Sequence, residues 1–279
     1  MAQAHANSSA TPTQEPAFTA DCLKGRVAVV TGAGGGLGMS ISARLCAMGA
    51  KVALVDLKAP ADLPAPDCIG LACDISDAGA VEAMGRAVQT HFGRCDILVN
   101  NAGTKALPVS LEDLPIADWD KVFGVNVRGA FLCARALAKM MLANGSGSII
   151  NIASIGAQMP TRIGAYGPSK AALCGLTRQM AVEWGPRGVR ANSVSPGMVH
   201  TPMSDAFYRD SQQLAARVAM LPARRIGVPQ DIADVVAFLA TDAAAFVTGQ
   251  DIVVDGGYII APLYNAQPQA AAAAYANKA

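Results

Sequence analysis

Short apolar runs alternate with longer amphipathic stretches along most of the chain. Each apolar run is nearly continuous, as expected for a strand that is buried on both faces of a sheet. The runs predict seven strands, over residues 26–31, 51–55, 69–72, 96–99, 148–152, 190–194 and 251–254. The longer stretches predict helices over residues 38–48, 78–92, 119–143, 166–184 and 231–239.

This alternation predicts an α/β fold, a single doubly wound domain with a seven-stranded parallel sheet and helices on both faces. No linker or internal repeat divides residues 21–262, so we expect one domain there. Residues 1–20 are rich in Ala, Ser, Thr, Gln and Pro, which indicates a disordered N-terminal arm. Residues 263–279 form an Ala- and Gln-rich low-complexity tail, for which a floppy segment and a short helix both stay open.

Composition favours a large buried core, since 52% of the residues are hydrophobic and only 15% are charged. A net charge of +1 argues against nucleic acid or a membrane surface as the main partner. The seven cysteines are scattered without a C-x-x-C pair, which indicates buried core residues in a reducing compartment and no metal site. The chain has neither a long apolar span nor a signal sequence, so we expect a cytoplasmic protein.

A glycine-rich turn follows the first strand and opens the first helix. Such a turn brings backbone N–H groups close to a pyrophosphate, and the helix N-terminus favours the negative charge. The strand–turn–helix context makes a plain flexible turn the weaker alternative. No Gly-Lys-Ser/Thr follows, which excludes a Walker loop. The pattern predicts that a dinucleotide is bound by Gly32, Gly35, Gly36, Leu37 and Gly38.

Asp56 ends the second strand about 20 residues after these glycines, where an acidic residue hydrogen-bonds the adenosine ribose. A 2′-phosphate would meet this carboxylate at close range, and the glycine turn contains no Lys or Arg to offset it. We therefore expect NAD as the cofactor, with Asp56 and the adjacent Leu57 on its adenosine side. A solvated carboxylate at a strand end is the alternative.

Tyr166 and Lys170 lie four residues apart in a predicted helix, so their side chains share a face. A nearby ammonium favours the phenolate, which would let Tyr166 take a proton from an alcohol as hydride leaves. Ser154 would hydrogen-bond the substrate oxygen. Taken singly, the pair could be a helix-surface pair, Ser154 a strand-end cap and Asn126 an ordinary helix residue.

The chain resembles the short-chain dehydrogenase/reductase family from about residue 25 to residue 258. The matching positions are Thr31 to Gly38 (T-G-x-x-x-G-x-G), Asp74, Asn100 to Gly103 (N-N-A-G), Asn126, Ser154, Tyr166 to Lys170 (Y-x-x-x-K) and Pro196-Gly197. The resemblance implies a Rossmann-type domain and a catalytic set of Asn126, Ser154, Tyr166 and Lys170, in which Asn126 holds a water linked to Lys170.

The resemblance also implies further cofactor contacts. Asp74 and Ile75 would approach the adenine, and Lys170 would bind the nicotinamide ribose. Val199 would reach the nicotinamide amide through its backbone and Thr201 through its side chain. The remaining implied cofactor residues are Asn101, Ala102, Gly103, Tyr166, Pro196 and Gly197.

Substrate specificity is expected from three loops at the carboxyl ends of the strands, over residues 104–109, 155–165 and 201–225. Their candidate substrate residues are Gln158, Met159, Met203 and Phe207, although Met203 and Phe207 could instead only pack under a lid. The loops are mainly apolar, which favours a neutral secondary alcohol or ketone, a cyclic diol or a polyol.

We expect an NAD-dependent oxidoreductase that acts on such a substrate. The helices over residues 119–143 and 166–184 carry more apolar residues than one buried stripe requires, which favours a homotetramer, with a dimer as second choice. Two alternatives stay open: a reductive biosynthetic enzyme of the ketoacyl reductase kind, and an NAD-binding sensor or scaffold without turnover.

Overall fold

The computed structural model describes residues 19–262 with the exception of Ala106, Thr161 and Met203. Its strands are β1 Val27–Thr31, β2 Lys51–Asp56, β3 Ile69–Ala72, β4 Ile97–Asn100, β5 Gly147–Ile152, β6 Val189–Pro196 and β7 Asp251–Val254. Its α-helices are α1 Gly36–Ala47, α2 Ala78–Phe92, α3 Ile116–Phe123, α4 Ala130–Asn144, α5 Tyr166–Trp184, α6 Ser211–Met220 and α7 Pro229–Ala240. The predicted C-terminal tail and all but the last two residues of the predicted N-terminal arm lie outside the described residues.

The seven strands form one parallel sheet in the order β3-β2-β1-β4-β5-β6-β7. The chain builds outward from β1 to β3, then crosses to β4 on the other side of β1 and builds outward again. Ligands of doubly wound folds bind where the strand order reverses, outside the carboxyl ends of the strands. The predicted sheet is confirmed, and its reversal lies between β1 and β4.

Apolar side chains fill both faces of this sheet, as the continuous apolar strands require. One face packs against α1 and α7, for example through Ile41 and Val236. The other face packs against α2, α4 and α5, for example through Val81, Leu137 and Met180. Five of the seven cysteines are buried, and Cys22 and Cys46 are half-buried. No described helix is long and apolar enough to cross a bilayer.

Two features of the helices differ from the sequence prediction. The helix predicted over residues 119–143 is divided, because a π-helical segment, Gly124–Gly129, separates α3 from α4. Apolar periodicity cannot reveal such a segment, which holds one extra residue per turn. Helix α6 was not predicted, and none of its residues is buried. It begins at Asp210, whose carboxylate caps the backbone N–H groups of Gln212 and Gln213.

Gly38 allows α1 to pack closely against the end of β1. A β-carbon at this position would overlap the carbonyl oxygen of Gly32 and lie 2.7 Å from Nδ2 of Asn101. Gly35, three residues earlier, has an extended backbone with a φ of 171° and open space around its α-carbon. The two glycines therefore differ in what a methyl group would meet.

We expect Gly38→Ala to lower the free energy of unfolding by about 1–3 kcal/mol, because the main chain of the glycine turn must move to admit the methyl group. The matched change Gly35→Ala should alter it by less than about 0.5 kcal/mol. Urea denaturation of both variants measures the difference. Equal stabilities for the two variants would contradict the close packing of α1 on β1.

Candidate active site

The glycine turn presents open backbone groups at the carboxyl end of β1. Gly35 caps α1 without any side-chain hydrogen bond, and the first turn of α1 has no acidic residue. Pro202 approaches from the opposite side, with its Cδ 3.4 Å from the position of a β-carbon on Gly36. Free N–H groups at an uncapped helix N-terminus, with open space over Gly35, fit a pyrophosphate.

Asn101 fixes the shape of this turn. Its Nδ2 donates hydrogen bonds to the carbonyl oxygens of Thr31 and Gly32, each at 2.9 Å. The hydroxyl of Thr31 in turn accepts from the backbone N–H groups of Asn101 and Ala102, both at 3.1 Å. The end of β4 thus holds the end of β1, which gives the predicted residues Asn101 and Ala102 a supporting position beside the cofactor turn.

Asp56 lies directly beneath the glycine turn at the end of β2. Its Oδ2 accepts a hydrogen bond from the Gly34 N–H at 2.8 Å, and its Oδ1 accepts one from the Leu57 N–H at 2.7 Å. The Leu57 side chain is exposed at the rim. The carboxylate therefore stands at the edge of the turn, where the ribose of a bound dinucleotide would lie.

Asp74 and Ile75 follow β3 on the same side of the sheet. The Asp74 carboxylate accepts hydrogen bonds from the backbone and hydroxyl of Ser76, which hold the pKa of this carboxyl below its usual range. The side chain of Ile75 is buried, and it would collide with any β-carbon on Gly129. The side chain of Ile75 thus packs against the π-helical segment, and its predicted contact with the adenine stays a prediction.

The carboxyl end of β5 and the first turn of α5 bring the predicted catalytic residues together. Nζ of Lys170 lies 5.7 Å from the ring centre of Tyr166 and donates to the Ile152 carbonyl oxygen at 2.7 Å. Oγ of Ser154 accepts from the Gly156 N–H at 3.1 Å, so Ser154 does cap a short helix. Ser154 also forms a hydrogen bond with Tyr166, which tends to lower the Tyr166 pKa.

Burial is the largest effect on the pKa values of Tyr166 and Lys170. It raises the pKa of the Tyr166 phenol above its usual value, against the opposing effect of the Ser154 hydrogen bond. It lowers the pKa of Lys170 to about 8, because the ammonium loses its hydration. The expected depression of the Tyr166 pKa by Lys170 is therefore absent in the protein alone, where desolvation is the larger effect.

Asn126 lies in the π-helical segment and binds both sides of the site. Its Oδ1 accepts from the Thr104 N–H at 2.8 Å, and its Nδ2 donates to the Thr104 carbonyl and to Oγ of Ser169, each at 3.0 Å. Both amide hydrogens are committed to protein partners, and the predicted water link to Lys170 stays a prediction. Ser169 was missed by the sequence analysis, because a serine within a helix carries no distinguishing signal.

Gly103 lies between the side chains of Asn126 and Lys170. A β-carbon there would lie 3.2 Å from Oδ1 of Asn126 and 3.4 Å from Nζ of Lys170. The end of the N-N-A-G segment can therefore approach Lys170 closely because residue 103 has no side chain.

The segment after β6 covers the glycine turn. Gly197 is required by close approach, since a β-carbon would lie 2.5 Å from Cβ of Asp255. Ser204 organises the residues that follow: its hydroxyl donates to the Val199 carbonyl at 2.7 Å and lies 3.1 Å from Oγ1 of Thr201. Pro196 ends β6, which brings these predicted nicotinamide-side residues to the same edge of the sheet.

Two of the predicted substrate residues, Gln158 and Met159, line one cavity, and Phe207 is not among the described residues that line it. Nε2 of Gln158 donates to Oδ2 of Asp251 at 2.8 Å, so its amide is bound within the protein. Met159 lines a cavity of about 680 Å³ beside the first turns of α5, together with Pro108, Val109 and other residues. Phe207 is half-exposed, and its ring is contacted by Lys105 and Arg217. Met203 lies outside the described residues.

Among the residues that the structure describes, no group of three or more His, Cys, Asp or Glu side chains could hold a metal ion.

The lowered pKa of Lys170 predicts a pH-dependent contribution to stability. Between pH 8 and the ordinary lysine pKa of about 10.5, the unfolded chain binds more protons at this residue than the folded chain. The stability of the wild type relative to Lys170→Met should therefore rise by about 2 kcal/mol from pH 8 to pH 10. Urea denaturation of both proteins measures this difference, and a pH-independent gap would show that Lys170 keeps an ordinary pKa.

Proteins of named activity and of solved structure are similar to most of this chain. D-threitol dehydrogenase of Mycolicibacterium smegmatis is 41% identical over 247 residues, covering 85% of this chain and 94% of that protein. The crystal structure of levodione reductase matches with a TM-score of 0.81 and 35% identity, covering 85% of this chain and 99% of the other.

A solved dehydrogenase from Agrobacterium tumefaciens with bound NADP matches with a TM-score of 0.78 and 34% identity, covering 87% of this chain and 100% of the other. A family model described as enoyl-(acyl carrier protein) reductase matches residues 32–259, from the first glycine of the glycine turn to beyond the end of β7. With this match and these relatives, the chain belongs to the short-chain dehydrogenase/reductase family.

Proposed function

We propose that this protein interconverts a secondary alcohol and its ketone with NAD(H), with Tyr166 as the acid–base residue. The observation that carries the proposal is the convergence of Ser154, Tyr166 and Lys170 at the carboxyl end of β5, beside the open glycine turn. Oxidation of CH–OH groups is also the activity named for the D-threitol relative.

In this mechanism, Ser154 holds the substrate oxygen and aligns it with the phenol of Tyr166. Tyr166 accepts the hydroxyl proton during oxidation and returns it during reduction. Bound NAD⁺ would supply the hydride acceptor and a positive charge that favours the phenolate. Lys170 would bind the nicotinamide ribose, and Asn126 holds the Thr104 segment beside it.

We expect Tyr166→Phe to reduce turnover by roughly 10²–10⁴-fold, because a positioned acid–base group is lost, while NAD binding is kept. Tyr258→Phe, which removes a phenol outside this site, should stay within about twofold of wild type. Absorbance at the NADH band measures turnover, and calorimetry measures NAD binding. Near-normal turnover of Tyr166→Phe would overturn the assignment.

Asp56 supports NAD over NADP, since a 2′-phosphate at the glycine turn would meet the carboxylate that holds Gly34. We expect NAD to be preferred by at least ~100-fold in kcat/KM, and Asp56→Ser to lose most of that preference. Asp62→Ser, in the connection that follows β2, is the matched control and should keep the preference. Comparable wild-type efficiency with both cofactors would refute this choice, which matters because two solved relatives have bound NADP.

A neutral alcohol, cyclic diol or polyol is the proposed substrate class. The support comes from the mainly apolar lining of the cavity beside α5, through residues such as Pro108, Val109 and Met159. Lys105 and Arg217 stand at the Phe207 ring, so acidic alcohols belong in the same substrate panel. Turnover on this panel also tests the alternative of an NAD-binding sensor, which would bind the cofactor without reducing it.

Reductive biosynthesis with NADPH is the second candidate, because the matching family model carries the name of an acyl carrier protein reductase. The Asp56 carboxylate disfavours it for the reason given above. The ratio of kcat/KM with NAD to kcat/KM with NADP, measured in the Asp56 experiment, distinguishes the two candidates.

We also propose a cytoplasmic homotetramer. Phe131 on α4 and Val182 on α5 are large apolar side chains that the single chain leaves exposed, which supports association through these helices. Sedimentation velocity tests the size of the assembly, and a monomer would refute it.

A further inference from the structure

The side chain of Gln158 ties the turn behind Ser154 to the edge strand of the sheet. Its Nε2 donates to Oδ2 of Asp251 at 2.8 Å, across 93 residues of sequence. Gln158 ends the short 3₁₀ helix Ile155–Ala157, which Ser154 begins. One end of this turn thus carries a proposed catalytic hydroxyl, and the other end carries the amide that reaches β7.

Asp251 is a well-held anchor for this amide. Its Oδ1 accepts from the hydroxyls of Ser193 and Ser195 at 2.9 and 2.8 Å, and its Oδ2 accepts from Ser195 at 2.9 Å. Ser193 is also its neighbour in the pairing of β6 with β7. Both carboxylate oxygens are therefore fixed to the sheet before Gln158 binds, so the anchor does not depend on the turn.

Main-chain hydrogen bonds hold the chain just before Ser154 but give less support after it. Ala153 donates to the Val194 carbonyl at 2.7 Å, which continues the β5–β6 ladder up to the residue before Ser154. After Ser154 the main-chain bonds of the turn are local, such as Gln158 N–H to Ile155 carbonyl at 3.0 Å. The Gln158–Asp251 bond supplies a link from the far end of the turn to the sheet.

We propose that Gln158 and Asp251 are positioning residues, whose hydrogen bond holds the 154–158 turn so that the Ser154 hydroxyl stays in register with Tyr166. The catalytic consequence rests on the proposed function, whereas the order of the turn does not. Small displacements of an aligning group are costly, because turnover depends on the near-attack geometry of the reacting atoms. The sequence-based role for Gln158, direct substrate contact, is the competing explanation.

Exchanging the hydrogen-bond donor and acceptor between residues 158 and 251 distinguishes a positioning role of Gln158 from direct substrate contact. Gln158→Met removes the donor with little change in size, and Gln158→Glu replaces it with a second carboxylate facing Asp251. Adding Asp251→Asn to Gln158→Glu restores one donor and one acceptor with the opposite polarity. Gln250→Glu is the matched control, because that neighbouring glutamine binds the Thr248 carbonyl instead.

For the tether itself, the measurement is hydrogen–deuterium exchange of residues 154–160 in the full-length protein. Exchange should be about tenfold faster in Gln158→Met and Gln158→Glu and close to wild type in the Gln158→Glu, Asp251→Asn double variant. Wild-type exchange in both single variants would overturn the proposal whether or not an alcohol substrate has been found. Thermal melting confirms that each variant is folded.

For catalysis, kcat with a secondary alcohol should fall roughly tenfold to a hundredfold in both single variants, with the dissociation constant of NAD unchanged. The double variant should recover to within about threefold of wild type, and Gln250→Glu should match it. A folded double variant that recovers exchange protection but not kcat would assign Gln158 to the substrate instead. Absence of turnover in the wild type would count against the proposed function, and the exchange data would still decide the tether.

Discussion

The reversal of strand order between β1 and β4 is the constraint on which the rest of the structure depends. It separates the connections that follow these two strands, so their carboxyl ends open into one crevice. Asn101 spans that crevice and holds the glycine turn by two carbonyl oxygens. The side chain of Asn126 similarly joins the Thr104 segment to α5, through hydrogen bonds to Thr104 and Ser169. Two amide side chains thus join segments that are distant in the sequence but meet at the carboxyl edge of the sheet.

Desolvation affects the protonation of Tyr166 and Lys170 more than neighbouring charges do. Burial favours the phenol form of Tyr166 and the amine form of Lys170, so the protein alone disfavours both of the charges that proton transfer needs. An arriving positive charge reverses part of this balance, since it stabilises the phenolate at close range. Under the proposed function, the readiness of Tyr166 for proton transfer would therefore depend on occupation of the neighbouring crevice.

Local sequence signals were enough for the sheet and for most of the site. Continuous apolar runs gave the strands, and the spacing from Thr31 to Gly38 located the turn on which α1 begins. The family expected from the ordered motifs is confirmed. These local signals did not reveal features that depend on contacts between residues far apart in the sequence. Asn126, in the π-helical segment, hydrogen-bonds Thr104, and the amide of Gln158 hydrogen-bonds Asp251, and neither contact is visible in the local sequence. The predicted substrate contact of Gln158 stays a prediction.

The hydrogen bonds that Asn101 donates to the glycine turn determine when this turn can take its final shape during synthesis. The glycines of the cofactor turn emerge from the ribosome early, but the amide that binds their carbonyl oxygens follows about 70 residues later in the chain. A nascent chain that ends before the fourth strand has the binding motif without the donor that shapes it. The crevice at the ends of β1 and β4 is therefore completed by long-range assembly, and a nicotinamide cofactor can contribute to folding only after β1 and β4 have paired.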